Sequence, residues 1–575
     1  MNGALAPSLS SPAAGLTRLS LLDRIAILGI AAQFAVMVTI SYVLWERHGL
    51  TGDFAGFFHG WSSIARGDLN PWQQDAANMR YLQNHGELIT YLFAPVYWLI
   101  PNGFGLRLIQ DSSAAGISIV SWLWVRELLA SARLARTLAL PLGLTALVLI
   151  VLDPWPIWSN AFDFHWQATG TFFMLAAAYA FFRRNLVLGF AACILTVLTG
   201  DVMATILAGL GLSMLFVGRV RLAGAGVLLL AVGSFFLIHR LGGGLGYAAS
   251  GGGLEMLYGD LFAPEHPHDV TAAGLIAFML THPQNVLAAL ARNGNEIYAN
   301  LAPAGLVGVF YPWSWGVCLV TLLENDLANG RLFAQPSFQS FPLYAFTAVG
   351  TSALLVALAS RERAAWPARI ACALLSLNAL AWAAVWLPHI PSRWILVRPN
   401  AAAELTRINR TIPWNQEVIG GEAFLGLFAD RPVYYNSIHP DFPLDTNPVN
   451  VVIAPYDGVN ALTANADLSR IAALGRRPGA RLVSHNDGVW WFSYAPKPGE
   501  RWLPLPMGAE RIPAWTLDGI SGRATLEGPE ATWRIEYAGE RGDVFENDYW
   551  RVPVGRYNAV VDIESDEQVI LEVRN

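Results

Sequence analysis

Long apolar runs separated by short arginine-bearing breaks dominate residues 25–388, and beyond about 390 the runs shorten to strand length. A run of about 20 apolar residues matches the thickness of a bilayer core. The pattern predicts spans near 25–45, 106–128, 138–153, 166–182, 186–200, 203–217, 221–238, 297–313, 314–324, 342–359 and 367–387. The first run, Ile25–Trp45, is longer than a signal-peptide core and lacks a small-residue cleavage site, so it reads as an uncleaved span.

The breaks set an orientation. Arg18 and Arg24 precede the first span; Arg126, Arg133 and Arg136 follow the second. Arg183 with Arg184, Arg219 with Arg221, and Arg361, Arg363 and Arg369 fill later breaks. With eleven spans all five clusters share one side, which the positive-inside rule makes cytoplasmic. Residues 1–24 are then a cytoplasmic N-terminus and 25–389 a transmembrane domain. Segments 46–105, 154–165 and 239–296 face outward, as does everything after the last span. Leu88–Pro101 is too short to span comfortably and reads as an interfacial helix.

The C-terminal part splits in two. Over 390–499, strands at Val449–Pro455, Arg481–Ser484 and Gly488–Tyr494 with a helix at Ala464–Leu474 predict a small soluble α/β domain. From 500 to 575 only strands are expected, at Ala524–Glu527, Thr532–Tyr537, Tyr557–Ile563 and Val569–Val573, giving a small sheet or sandwich.

Composition supports the membrane reading. The 575 residues are 54% hydrophobic and 14% charged, against about 25% charged in soluble domains. A net charge of -6 with no basic block argues against a nucleic-acid partner. Cys193, Cys318 and Cys372 all lie in apolar runs and read as core residues rather than a disulfide framework.

Candidate chemistry gathers in the outer segments. Asp53, among Phe54, Phe57, Phe58 and Trp61, reads either as a desolvated general base or as the N-cap of a following helix. His85 and Glu87 open the interfacial helix, as head-group ligands or as capping residues. Asp163 and His165 lie in Phe-Asp-Phe-His-Trp, ending at Trp166. A carboxylate flanked by rings suits a sugar site or an interfacial belt, and the Asp-x-His pair supplies two ligands for a divalent cation, too few to define a site. Asp201 follows Thr199-Gly200 between two apolar runs, where a carboxylate is costly or marks a hairpin turn. Glu324 and Asp326 mark a solvated turn. The chain has no Walker motif, dinucleotide fingerprint or nucleophile elbow, and no charges line the middle of several spans as an ion relay requires.

This order of one span, an acidic loop, an interfacial helix, a second span and a second acidic loop resembles the GT-C membrane glycosyltransferases. His85-Gly86-Glu87-Leu88, with Tyr91, Pro95 and Trp98, is similar to a drifted form of their His-Pro-Pro-Leu helix. More closely, the chain resembles the bacterial membrane family of domain of unknown function 2079, usually grouped with GT-C proteins. Asp53-Phe-Ala-Gly-Phe-Phe-His59 is similar to its first-loop motif, Phe162–Gln167 to its Phe-Asp-Phe-His-Pro-Glu motif, and Thr199-Gly200-Asp201 to its Lys-Glu-Asp motif. Gln339-Ser340 stands where that family has His-Tyr. The similarity covers roughly residues 25–495.

The resemblance implies an α-helical GT-C-like fold and transfer of a sugar from a polyprenyl-phosphate donor to a cell-envelope glycan, lipid or protein. That transfer would occur at the outer face of a bacterial inner membrane. It implies Asp53 as base and Asp163 as a second catalytic carboxylate. His85, Glu87, His165, Trp166, Arg80, Arg107 and Asp201 would contact substrate, the arginines as partners for phosphate. Asp163 and His165 would hold a divalent Mg or Mn ion if one is used. The rival reading is a lipid or polysaccharide transporter, or a non-catalytic scaffold, in which nothing depends on Asp53.

Overall fold

The computed structural model describes residues 20–50, 52–73, 79–84, 86–132, 134, 136–241, 258–262, 272–328, 338–361, 364–394, 396–436, 442–444, 446–454, 456–457, 479–502, 518–519, 523–527, 532–536 and 545–546. The expected helix 464–474 and the expected strands 557–563 and 569–573 lie outside these residues.

Two long helices form the spine of the bundle. Helix α1 (Leu21–Glu46) starts at a capping box, in which the Asp23 N–H donates to Ser20 Oγ and the Ser20 N–H to Asp23 Oδ2. Two short helices follow, α2 (Gly52–Ala65) and α3 (Ile89–Leu99). The second spine helix, α4 (Gly103–Ser131), starts where Asn102 accepts the Phe104 N–H. It runs antiparallel to α1, and polar contacts fix the register along its length. Asp23 meets Trp122 and Arg126 at one end, Gln33 meets Ser118 in the middle, and Ser41 meets Arg107 and Asp111 at the other. From Arg107 to Arg126 the helix rises about 28 Å, close to the thickness of a hydrocarbon core.

Helices α5 (Arg136–Val151) and α6 (Pro154–Asn160) lead to the second acidic turn, from which α7 (Gln167–Phe182) returns. Arg183 at the end of α7 pairs with Glu127 on α4 at 3.0 Å, so the Arg126 and Arg183 clusters share the end opposite Asp53. Then come α8 (Leu186–Val197), α9 (Asp201–Leu215) and α10 (Arg221–Leu241). Helices α11 (Ala272–Thr281) and α12 (Pro283–Arg292) meet at a 92° bend, and α13 (Gly294–Leu301), α14 (Trp315–Asp326), α15 (Phe341–Ala359) and α16 (Ala365–Trp386) complete the bundle. A Cβ on Gly209 of α9 would sit 2.4 Å from the Gly316 carbonyl of α14, so glycine permits this close helix crossing.

Among the described residues, six helices are long and apolar enough to cross a membrane, or seven if the bent pair counts as one. The expected spans at 166–182, 186–200 and 203–217 form helices of 16, 12 and 15 residues, shorter than a simple crossing needs. The expected span 297–313 does not form. Helix α13 ends at Leu301, Pro303 follows, and Gly305 turns the chain at φ 86° before a 3-10 turn over Leu306–Phe310. Proline removes the N–H that a continuing helix needs, and only glycine reaches this φ cheaply.

After the bundle, α17 (Pro399–Thr411) packs on a five-stranded mixed sheet. Its strands are β1 (Val418–Gly420), β2 (Tyr434–Asn436), β3 (Val449–Ile453), β4 (Arg481–Asn486) and β5 (Val489–Tyr494), in the order β2-β1-β3-β5-β4. The first three are parallel neighbours; β5 is antiparallel to both β3 and β4. Central β3 is Val-Asn-Val-Val-Ile with every residue buried, as for a strand covered on both faces. Further on, β6 (Arg523–Glu527) and β7 (Thr532–Glu536) pair antiparallel.

This domain docks on α2. The Tyr434 hydroxyl donates to the Ala55 carbonyl at 3.3 Å, a ring nitrogen of His59 lies 2.9 Å from the Ala429 carbonyl, and Arg66 donates to the Asp430 carbonyl at 2.7 Å. A Cβ on Gly426 would lie 2.6 Å from the Phe54 ring, so the two surfaces are in full contact. The α/β domain therefore sits at the Asp53 end of the bundle.

Candidate functional site

The site begins at the first turn of α2. A helix start leaves backbone N–H groups without intrahelical partners. Here the cap comes from a distant segment: Asp163 Oδ2 accepts the Phe54 N–H at 3.3 Å. Asp163 is fully buried, and its Oδ1 accepts the Phe164 N–H at 2.8 Å. The two acidic loops are thus joined one residue from Asp53. Asp53 itself is exposed, while Phe54, Phe57, Phe58 and Trp61 turn inward and are buried. Asp53 stays exposed at the helix start, so the buried rings do not seal it from water. Asp53 lies within the first turn, and the capping role falls to Asp163.

Beneath this junction lies a buried polar network that the sequence reading missed, apart from Arg107. Helix α4 presents Arg107, Gln110 and Asp111, spaced i, i+3 and i+4, to the turn 160–165. Arg107 is fully buried; its Nε donates to Ser41 Oγ at 3.2 Å and its Nη2 to the Asn160 carbonyl. Asp111 Oδ1 accepts from Ser41 Oγ at 3.0 Å and from Asn160 Nδ2 at 2.5 Å. Arg107 and Asp111 lie at the Asp53 end of α4 rather than along a path through the middle of the bundle. The only signal in the sequence was the polar run Arg-Leu-Ile-Gln-Asp at the start of an apolar helix.

The other candidates fall around this core. The faces of the His165 ring are taken by protein: it stacks on Phe338 and meets Phe57 edge-on at 5.4 Å. The 338–340 turn, which carries Gln339-Ser340, therefore does reach the site. Trp166 is fully buried, stacked on Phe93 of α3 and edge-on to Phe164, so it is a packed wall and no open platform for a sugar. Arg80 lies over the Trp72 ring at 4.3 Å and donates to the Asn70 carbonyl at 2.9 Å, which folds the first loop. Glu87 is buried and accepts from the Tyr81 hydroxyl at 3.1 Å; Tyr81 also bonds Thr90 at 2.7 Å. Burial, with the Glu87 charge second, holds the Tyr81 phenol well above its ordinary pKa, so it stays a neutral donor. Asp201 opens α9, and that turn joins the start of α3 through the Ile89 N–H to the Leu198 carbonyl at 2.7 Å. His85 lies outside the described residues. Asp326, expected in a solvated turn, is buried.

Asp163 holds two backbone N–H groups, and among the described residues no three His, Cys, Asp or Glu side chains group closely enough to bind an ion.

No curated protein matches the sequence. Among solved structures, the chain is similar to ArnT from Cupriavidus metallidurans bound to undecaprenyl phosphate, at 14% identity and TM-score 0.46, covering 83% of this chain and 100% of that one. The apo state of the same protein gives 12% identity and TM-score 0.45 over the same shares. The apo oligosaccharyltransferase of Archaeoglobus fulgidus gives 12% and 0.40, over 77% of this chain and 71% of that one. The stretch carrying both acidic loops, residues 56–323 with Asp53 just before it, matches the family described as predicted membrane protein (DUF2079), the family its loop motifs resemble.

Proposed function

We propose that this chain is a membrane glycosyltransferase that moves a sugar from a polyprenyl-phosphate donor to an acceptor hydroxyl. The observation that carries the reading is the junction of the two acidic loops, in which buried Asp163 caps the helix whose exposed first turn bears Asp53. An exposed carboxylate on a fixed helix start suits a general base that must meet an incoming acceptor.

In the proposed reaction the acceptor oxygen attacks the anomeric carbon as the bond from that carbon to the phosphate oxygen breaks. Asp53 takes the hydroxyl proton, polyprenyl phosphate leaves, and the single displacement inverts the anomeric centre. Asp163 holds α2, and hence Asp53, in place. Arg107 supplies positive charge behind the site, with one guanidinium nitrogen, Nη1, lacking a hydrogen-bond partner among the described residues. His165, Trp166, Glu87, Arg80 and Asp201 shape the walls around the donor. The reaction is assigned to the outer face of the inner membrane, with the α/β domain beside Asp53 helping to choose the acceptor.

The test is Asp53→Asn in the full chain, assayed for sugar transfer from a polyprenyl-phosphate sugar. Transfer should fall by on the order of a hundredfold or more, with folding unchanged. Full activity in that variant removes Asp53 as base, and no transfer by the wild-type chain favours the scaffold reading.

A further inference from the structure

We infer that Gln110, acting with Asn160, positions Asp163 against the start of α2 and so sets the spacing between the two acidic loops. Gln110 is 1% exposed and uses both ends of its amide. Nε2 donates to Asn160 Oδ1 at 2.8 Å and to the Asp163 carbonyl at 3.1 Å. Oε1 accepts the His165 N–H at 2.6 Å. Asn160 is held in turn: its Nδ2 donates to Asp111 and its carbonyl accepts from Arg107.

The chemistry of the turn calls for an amide at this place. The segment 161–166 belongs to no helix or strand, yet most of it is buried, so its backbone groups need partners from elsewhere. Position 110 must donate to two oxygens and accept from one N–H. Glutamine does both. Glutamate, of the same shape, would turn acceptors toward the Asn160 and Asp163 oxygens, and leucine would remove all three bonds. Gln110 is a positioning residue: its reach to Asp53 runs through the Asp163 backbone, the Asp163 carboxylate and the Phe54 N–H.

The experiment compares Gln110→Glu and Gln110→Leu with the wild-type chain, and with Gln33→Leu as control. Gln33 is also buried at the α1–α4 contact, bonded to Ser118 and to the Ile150 and Val151 carbonyls at the end of α5, and no bond joins it to the turn 160–165 among the described residues. The first readout is amide hydrogen exchange in peptides covering residues 52–58. Exchange should accelerate about tenfold or more in either Gln110 variant and stay unchanged in Gln33→Leu. The second readout is sugar transfer, where kcat should fall by on the order of ten- to a hundredfold with acceptor KM within about threefold. Only this second arm rests on the transferase reading.

If wild type shows no transfer while exchange divides as stated, the positioning role stands and the transferase reading falls. Unchanged exchange in Gln110→Glu, or equal acceleration in Gln33→Leu, overturns the inference. If Gln110→Leu does not fold, the isosteric Gln110→Glu alone decides.

Discussion

Asp53 stands on the exposed first turn of α2, while Asp163, the carboxylate that caps that turn, is sealed inside the protein with both oxygens on backbone N–H groups. The loops that carry them are also held differently. The first is clamped from outside by the α/β domain, through Tyr434, Ala429 and Asp430. The second is gripped from within by α4, through Arg107, Gln110 and Asp111. One aspartate lies at the surface, and the other is buried against the start of the helix that carries it.

That contrast can be broken most sharply at Arg107. Arg107→Met leaves Asp111 and Asp163 buried without their nearest positive charge, which should destabilise the fold by about 3–5 kcal/mol. Thermal unfolding in detergent measures it, and Arg107→Met combined with Asp111→Leu should recover part of the loss.

Acid should act on the first loop instead. His48 and His59 both face backbone carbonyls of the α/β domain, and burial holds their pKa down to about 4. The unfolded chain titrates near 6.5. Below that value the unfolded state takes up protons that the folded state refuses. Stability should therefore fall as pH drops from about 6.5 to about 4, by roughly 3 kcal/mol per imidazole at most. A melting profile against pH checks the slope. A profile flat across this window would mean that neither imidazole is buried at the domain contact.

A smaller effect is expected at Asp163. Asp163→Asn keeps one acceptor oxygen and loses the other, so one of two buried N–H groups goes unpaired, at a cost of about 2 kcal/mol. Asp53→Asn should be the mildest change to stability, within about 0.5 kcal/mol, because the side chain is exposed. Equal destabilisation by the two asparagine variants would erase the distinction between the loops.

Much of the fold was legible in the sequence because it rests on local pattern. Helices α1, α4, α10, α15 and α16 follow from apolar runs, and β3 and β5 from β-branched and aromatic runs. The 297–313 span failed because hydropathy alone ignored Pro303 and Gly305. Asp53, Asp163 and His165 stood out as polar residues among rings. Gln110, Asn160 and Ser41 did not, since a single polar residue near the end of an apolar helix carries no local mark of its partner.

The sequence by itself determined a membrane-type helical bundle followed by a small α/β domain, and it named the two acidic loops. Periodicity, apolar length and turn residues act over a few neighbours, so they can be read in order along the chain. Only the tertiary structure decided that Asp163 caps the helix of Asp53, that Arg107 is buried rather than open, and that the α/β domain rests on α2. Those outcomes depend on hydrogen bonds between residues 50 to nearly 400 positions apart, whose geometry exists only once the helices have packed.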